Sequence, residues 1–170
     1  LAQEYDVVSF AGDIYVGFES MVEITLLSIL IGGLAALIKA TGGLAWLAQV
    51  IAKFARGHTG RRSGELSIAA LAAGSDALTA NNTVAILVTG SLAKDIAQRH
   101  GISPRRAASV LDIFACVVQG VLPYGAQILL AASLAAVSPL ALAGSVYYCW
   151  LLALSAIGFM LWPRRAAAPR

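Results

Sequence analysis

Apolar positions in this chain come in long runs, and the polar residues that interrupt them gather at a few places. Met21–Ile38 is apolar apart from Glu23, Thr25 and Ser28 and is closed by Lys39 and the Gly42–Gly43 pair, which predicts a membrane-crossing helix over residues 14–40. Leu44, Leu47, Ile51 and Phe54 then recur at helical spacing, with Gln49, Lys53 and Arg56 between them. That pattern predicts an amphipathic helix over 44–56 lying along the cytoplasmic interface. In residues 64–93 two short apolar arms, Leu66–Ala73 and Val84–Leu92, flank a polar cluster of Ser75, Asp76, Thr79, Asn81, Asn82 and Thr83. Each arm reaches only ~12–14 Å, about half the ~30 Å hydrocarbon core, so the segment reads as a re-entrant hairpin with its polar tip inside the membrane. Residues 106–133 form a crossing helix broken near its middle, with Asp112, Gln119, Pro123, Tyr124 and Gln127 carried within an otherwise largely apolar span. Residues 139–162 form the last crossing, with Trp162 at interface depth.

Composition agrees with this pattern. Of 170 residues, 59% are hydrophobic and 12% charged, against roughly a quarter charged in soluble domains. The reading is an all-α polytopic membrane protein forming one membrane domain over 1–170: about three transmembrane helices, one of them broken, plus the hairpin and the interfacial helix. The net charge of +3 points to no nucleic-acid partner, because the Lys and Arg residues sit beside apolar segments as topology anchors. Lys39, Lys53, Arg56, Arg61, Arg62, Lys94, Arg99, Arg105, Arg106, Arg164, Arg165 and Arg170 fall on one side under this arrangement, and the acidic first stretch falls on the other. The expected place is the cell (plasma or inner) membrane, with basic loops and C-terminus cytoplasmic. Cys116 and Cys149 lie in apolar runs and form no redox or zinc pattern. The chain opens on Leu1 without a signal peptide, which is expected of part of a longer protein.

The candidate chemistry lies at the two interruptions. Counting from the cytoplasmic ends puts Asp76 ~15 Å and Asp112 ~10 Å deep, where no Lys or Arg is expected to neutralise them. An uncompensated intramembrane charge costs at least ~2.5–3.5 kcal/mol, so each carboxyl is protonated, wet or bound to a cation. A protonated Asp hydrogen-bonded inside a bundle is the plainer alternative. Thr79, Thr83, Asn81 and Asn82 are hard oxygen donors suited to an alkali cation, and the last carbonyls of the first arm add the negative end of a helix dipole. Asn81 or Asn82 serves equally as the cap of the second arm. Pro123 lacks the N–H that would bond the Gln119 carbonyl, and Gly120 and Gly125 permit unwinding there, with Tyr124 and Gln127 lining the break. Two discontinuous elements meeting at the midplane point to the substrate site of a secondary transporter. Glu23 reads as a headgroup-level carboxylate, and His58 and His100 as solvated loop residues. An intramembrane aspartyl protease also needs two aspartates, but Gly74–Ser75–Asp76 lacks the GxGD arrangement. A non-transporting membrane scaffold or accessory subunit is the other rival.

The stretches SDALTANNTVAILVTG (Ser75–Gly90) and LDIFACVVQGVLPYGAQILLAA (Leu111–Ala132) resemble the carboxy-terminal half of the NhaC-type sodium/proton antiporter family. Gly17–Gly43 resembles it less sharply. The resemblance implies one repeat of an inverted-repeat transporter of the ion-transporter superfamily, each repeat with a hairpin and a broken helix. It implies exchange of sodium for protons, or of an organic or amino acid coupled to them, with no cofactor beyond the transported ions. Sodium would be held at Asp76, Asn81 and Asp112, with Thr79, Asn82 and Gln119 completing the shell. Family members are about twice this length, so the expected partners are the bilayer and either a second copy or a missing N-terminal half.

Overall fold

The computed structural model describes residues 6–57 and 60–162. His58, Pro163, Arg164, Arg165 and Arg170 lie outside the described residues, as do the side chains of Phe54 and Arg56. Eight α-helices and no strand make up what is described: α1 (Val7–Ala40), α2 (Gly43–Gly57), α3 (Arg61–Thr79), α4 (Asn82–Arg99), α5 (Pro104–Val121), α6 (Ala126–Leu134), α7 (Pro139–Ser145) and α8 (Tyr147–Leu161). Helix α3 is the centre, touching α1, α2, α4, α5 and α8. Its small residues allow this, since Ala69, Ala72 and Ser75 let neighbours approach on several sides while Ile68 and Leu71 are fully enclosed. Val110, Leu111, Phe114 and Ala115 of α5, Ala93, Ile96 and Ala97 of α4 and Met160 of α8 complete the core.

Among the described residues two spans pass for membrane crossings by length and composition, α1 and the α5–α6 unit, and α7 with α8 makes a third if the bent pair counts as one. α1 turns a half-buried stripe of Ile24, Ser28, Ile31, Ala35 and Ile38 inward and exposes almost everything else. At Gly42, with φ 83°, the chain reverses, and α2 runs back along α3. Leu44 and Ile51 are buried there, and Leu47 packs where a Cβ on Gly74 would lie 3.0 Å away. The predicted amphipathic helix therefore forms, with its apolar side on the hairpin.

Four expectations need correcting. The hairpin arms are not eight or nine residues but helices of 19 and 18, each ~27–28 Å long. The polar cluster does not unwind α3, because Thr79 Oγ1 bonds back to the Ser75 carbonyl at 2.8 Å within the helix. Only Ala80 and Asn81 break the hairpin. Lys39 does not join the other basic residues. The long α1 carries it to the hairpin tip, where it lines a cleft of about 260 Å³ with Thr79, Asn81 and Val84. The last crossing is bent by 50° at Val146 instead of running straight. The bend frees carbonyls, and side chains take them up: Trp150 Nε1 donates to the Ala143 carbonyl at 3.1 Å and Ser145 Oγ to that of Leu142 at 2.8 Å.

The broken helix falls where the sequence placed it. Leu122–Gly125 form a turn closed by the Gly125 N–H on the Leu122 carbonyl, 2.9 Å, with Pro123 at the position whose φ it presets.

Candidate functional site

The hairpin tip is built from a strained residue and a cap. Ala80 takes a left-handed conformation, φ 48° and ψ 31°, uncommon for a residue with a Cβ. It ends α3 with its N–H on the Asp76 carbonyl at 2.7 Å. Asn81 starts α4, its Oδ1 accepting from the Val84 N–H at 3.1 Å, so it acts as the cap weighed above. Thr79 Oγ1 also reaches the Asn81 carbonyl at 3.2 Å.

Helix α5 runs parallel to α3 from the same end, and its break meets this tip. Gln119 donates its amide N–H groups to the Ala80 carbonyl at 3.2 Å and to Gln127 Oε1 at 2.8 Å. Tyr124 donates its hydroxyl to the Ala77 carbonyl. The orphan carbonyls at the C-terminal end of α3 are thus held by polar side chains from both flanks of the Pro123 turn. Gly120 lets α8 approach closely, since a Cβ there would lie 2.5 Å from Cys149 Sγ.

Asp76 sits inside this junction with no exposed surface, and neither carboxyl oxygen has a hydrogen-bond partner. Ser75 Oγ and Gln119 Oε1 are also buried without a donor or acceptor. Native interiors leave few such groups, and four on one junction is a concentration that asks for a ligand or a proton.

Asp112 is not brought to Asp76 by any hydrogen bond. It lies about two turns before Gln119 on the exposed face of α5, where the Cys116 thiol reaches its Oδ1 at 3.9 Å. Asn82 Nδ2 contacts Cys116 Sγ at 3.7 Å, and Thr83 Oγ1 reaches Asn82 Oδ1 at 3.4 Å. Asn82, Thr83, Cys116 and Asp112 therefore form a second polar group beside the first. Among the described residues no cluster of three or more His, Cys, Asp or Glu is placed to hold a metal ion, so any cation here would rest on carbonyl, amide and hydroxyl oxygens with one carboxylate.

Sequence reading missed several contributors. Gln119 was singled out for its carbonyl, yet its side chain makes the contact. Lys39 faces the tip, which only the path of α1 reveals. The far end of the hairpin carries another unannounced group. Glu65, 4% exposed, accepts from Arg106 Nε at 3.1 Å and Nη2 at 2.9 Å, and from Arg61 Nε at 3.2 Å. Burial alone would raise its pKa, but the hydrogen bonds and charges of Arg106 and then Arg61 outweigh it and hold the carboxyl below its ordinary value. Arg106 also lies over the Phe159 ring, 4.9 Å from its centroid.

Compared with known proteins, residues 4–163 match the profile of the Na+/H+ antiporter family. No curated protein and no solved structure matches the chain.

Proposed function

This chain belongs to the Na+/H+ antiporter family, and from that premise we propose that it exchanges sodium for protons with Asp76 as the coupling group. The observation that carries the reading is Asp76 itself, fully buried with both oxygens unpartnered beside a helix break. Such a carboxyl is stable when it holds a proton or sits against a cation. Because both cannot occupy it together, loading one expels the other, and exchange follows. Membership also favours a carrier over the intramembrane protease and the scaffold.

The remaining site residues take supporting roles. Thr79, Asn81 and the carbonyls around Ala80 supply neutral oxygens at the tip, and Gln119, Tyr124 and Gln127 fix the tip against α5. Asp112, with Asn82, Thr83 and Cys116, lies on an open face and offers the cation a second carboxylate on its way in or out. The NhaC-type assignment, a cytoplasmic hairpin base, and operation against a second repeat or a second copy belong to the same proposal. Asp76→Asn should abolish sodium-dependent proton movement in liposomes while the protein still inserts. Full exchange by that variant would exclude Asp76.

One observation favours a second cargo. Lys39 lines the cleft with Thr79 and Asn81, and an ammonium there suits a carboxylate better than a metal ion. An organic or amino acid exchanged with sodium or protons would then be the substrate. Inhibition of sodium flux by small carboxylic acids, lost in Lys39→Gln, would support that reading. Flux indifferent to such acids would remove it.

A further inference from the structure

The Gln119 side chain has one end doubly bonded and the other without a partner. Its nitrogen faces two oxygens, the Ala80 carbonyl and Gln127 Oε1, while its own Oε1 is buried with no donor. The orientation is forced, since a backbone carbonyl only accepts, so the Gln119 atom facing Ala80 must be the nitrogen. Two oxygens converging on an N–H2 group present their lone pairs to positive charge, and a small cation bridges the same two atoms in the same way. The carbonyl concerned belongs to the left-handed residue that ends α3, so a strained backbone aims it at Gln119.

Resting on the exchange reading above, we propose that Gln119 is the cation's stand-in: its amide nitrogen fills the position between the Ala80 carbonyl and Gln127 Oε1 that sodium takes, and rotation of the amide converts it from plug to ligand. The terminal torsion of Gln is soft and roughly two-fold, so a half-turn presents Oε1 in place of Nε2, and withdrawal of the side chain leaves the position between Ala80 and Gln127 to the ion. Arrival of sodium then replaces two hydrogen bonds by three oxygen contacts, from Ala80, Gln127 and Gln119 itself, and the Asp76 carboxyl buried in the same junction releases its proton to balance the charge. The displaced nitrogen moves to the side where Oε1 finds no donor. Departure of the ion reseals the tip, so the junction is held together in both states and the carbonyl is never left bare in the membrane.

The test is a sodium titration of thermal stability and of proton flux, using the purified full chain and its variants. In Gln119→Glu the ionised side chain can no longer donate to Ala80 but can ligate. The half-saturating sodium concentration should fall about tenfold, the scale of one charge-assisted contact, and sodium-induced stabilisation should grow as pH rises. A residue that merely ties the tip to α5 would instead lower stability with and without sodium and leave the midpoint where it was, which overturns the proposal. If Gln119→Glu does not fold, Gln127→Met decides. Loss of one oxygen should raise the half-saturating concentration about tenfold, and an unchanged midpoint overturns the stand-in. A wild type whose stability and flux ignore sodium sinks the exchange reading itself. A responsive wild type with unmoved variants sinks only the role of Gln119.

Discussion

Glu65 and Asp76 lie on the same helix, are both buried, and are treated oppositely. Glu65 receives three hydrogen bonds from two arginines, and Asp76 receives none. The first arrangement stabilises a structure, and the second leaves a group ready to change its charge. Removing Arg106 strips Glu65 of two bonds and leaves only Arg61, whose side chain is 47% exposed. Arg106→Met should therefore lower unfolding stability in detergent by about 2–3 kcal/mol, against about 1 or less for Arg61→Met. The pH response has a definite sign. The folded pKa of Glu65 lies below its ordinary value of 4.5, so the pair contributes fully above that value and is lost as pH falls through the lower, folded one. An acid titration of thermal stability should show this loss in the wild type, and Glu65→Gln should flatten it. Sequence alone pointed to Asp76, because a lone acid between apolar arms is conspicuous. It was silent on Glu65, whose main partner is far along the chain and looked like one more topology anchor.

At the level of helices, periodicity located almost every element, and its errors share one cause. Polar residues were taken as helix interruptions, whereas Ser75, Asp76 and Thr79 remain helical and only the cap at Asn81 and the strained Ala80 end the arm. The Pro123 break was legible because a missing N–H is a covalent fact, and the bend at Val146 was not, since no proline announces it. Glycines separate contact from mere placement. A Cβ on Gly64 would lie 2.6 Å from that of His100, so Gly64→Ala should spread the hairpin base and cost about 1–3 kcal/mol. Gly90 has nothing within 4 Å, and Gly90→Ala should leave stability unchanged or raise it by up to about 1 kcal/mol. Pro123→Ala restores the donor for the Gln119 carbonyl and lets α5 straighten, pulling Tyr124 from Ala77. We expect normal insertion with a higher half-saturating sodium concentration. An unchanged one would reduce Pro123 to packing.

For the molecule as a whole, the two ends of the hairpin come together, His100 Nδ1 lying 2.9 Å from the Gly60 carbonyl. Cysteines placed at 60 and 100 should accordingly be labelled from one side, the cytoplasm, and those at 13 and 138 from the other. External labelling at 60 or 100 would overturn the re-entrant reading. The two ends of α3 also differ in what holds them to α5: two hydrogen bonds from Arg106 on a buried carboxylate at the base, and neutral amide and phenol hydrogen bonds at the tip. Charge-assisted bonds are roughly twice as strong as neutral ones. With Glu65 taken as a fulcrum, the arm to Ala80 is ~22 Å at 1.5 Å per residue. A swing of about 5° would move the tip ~2 Å while the fulcrum bonds barely stretch.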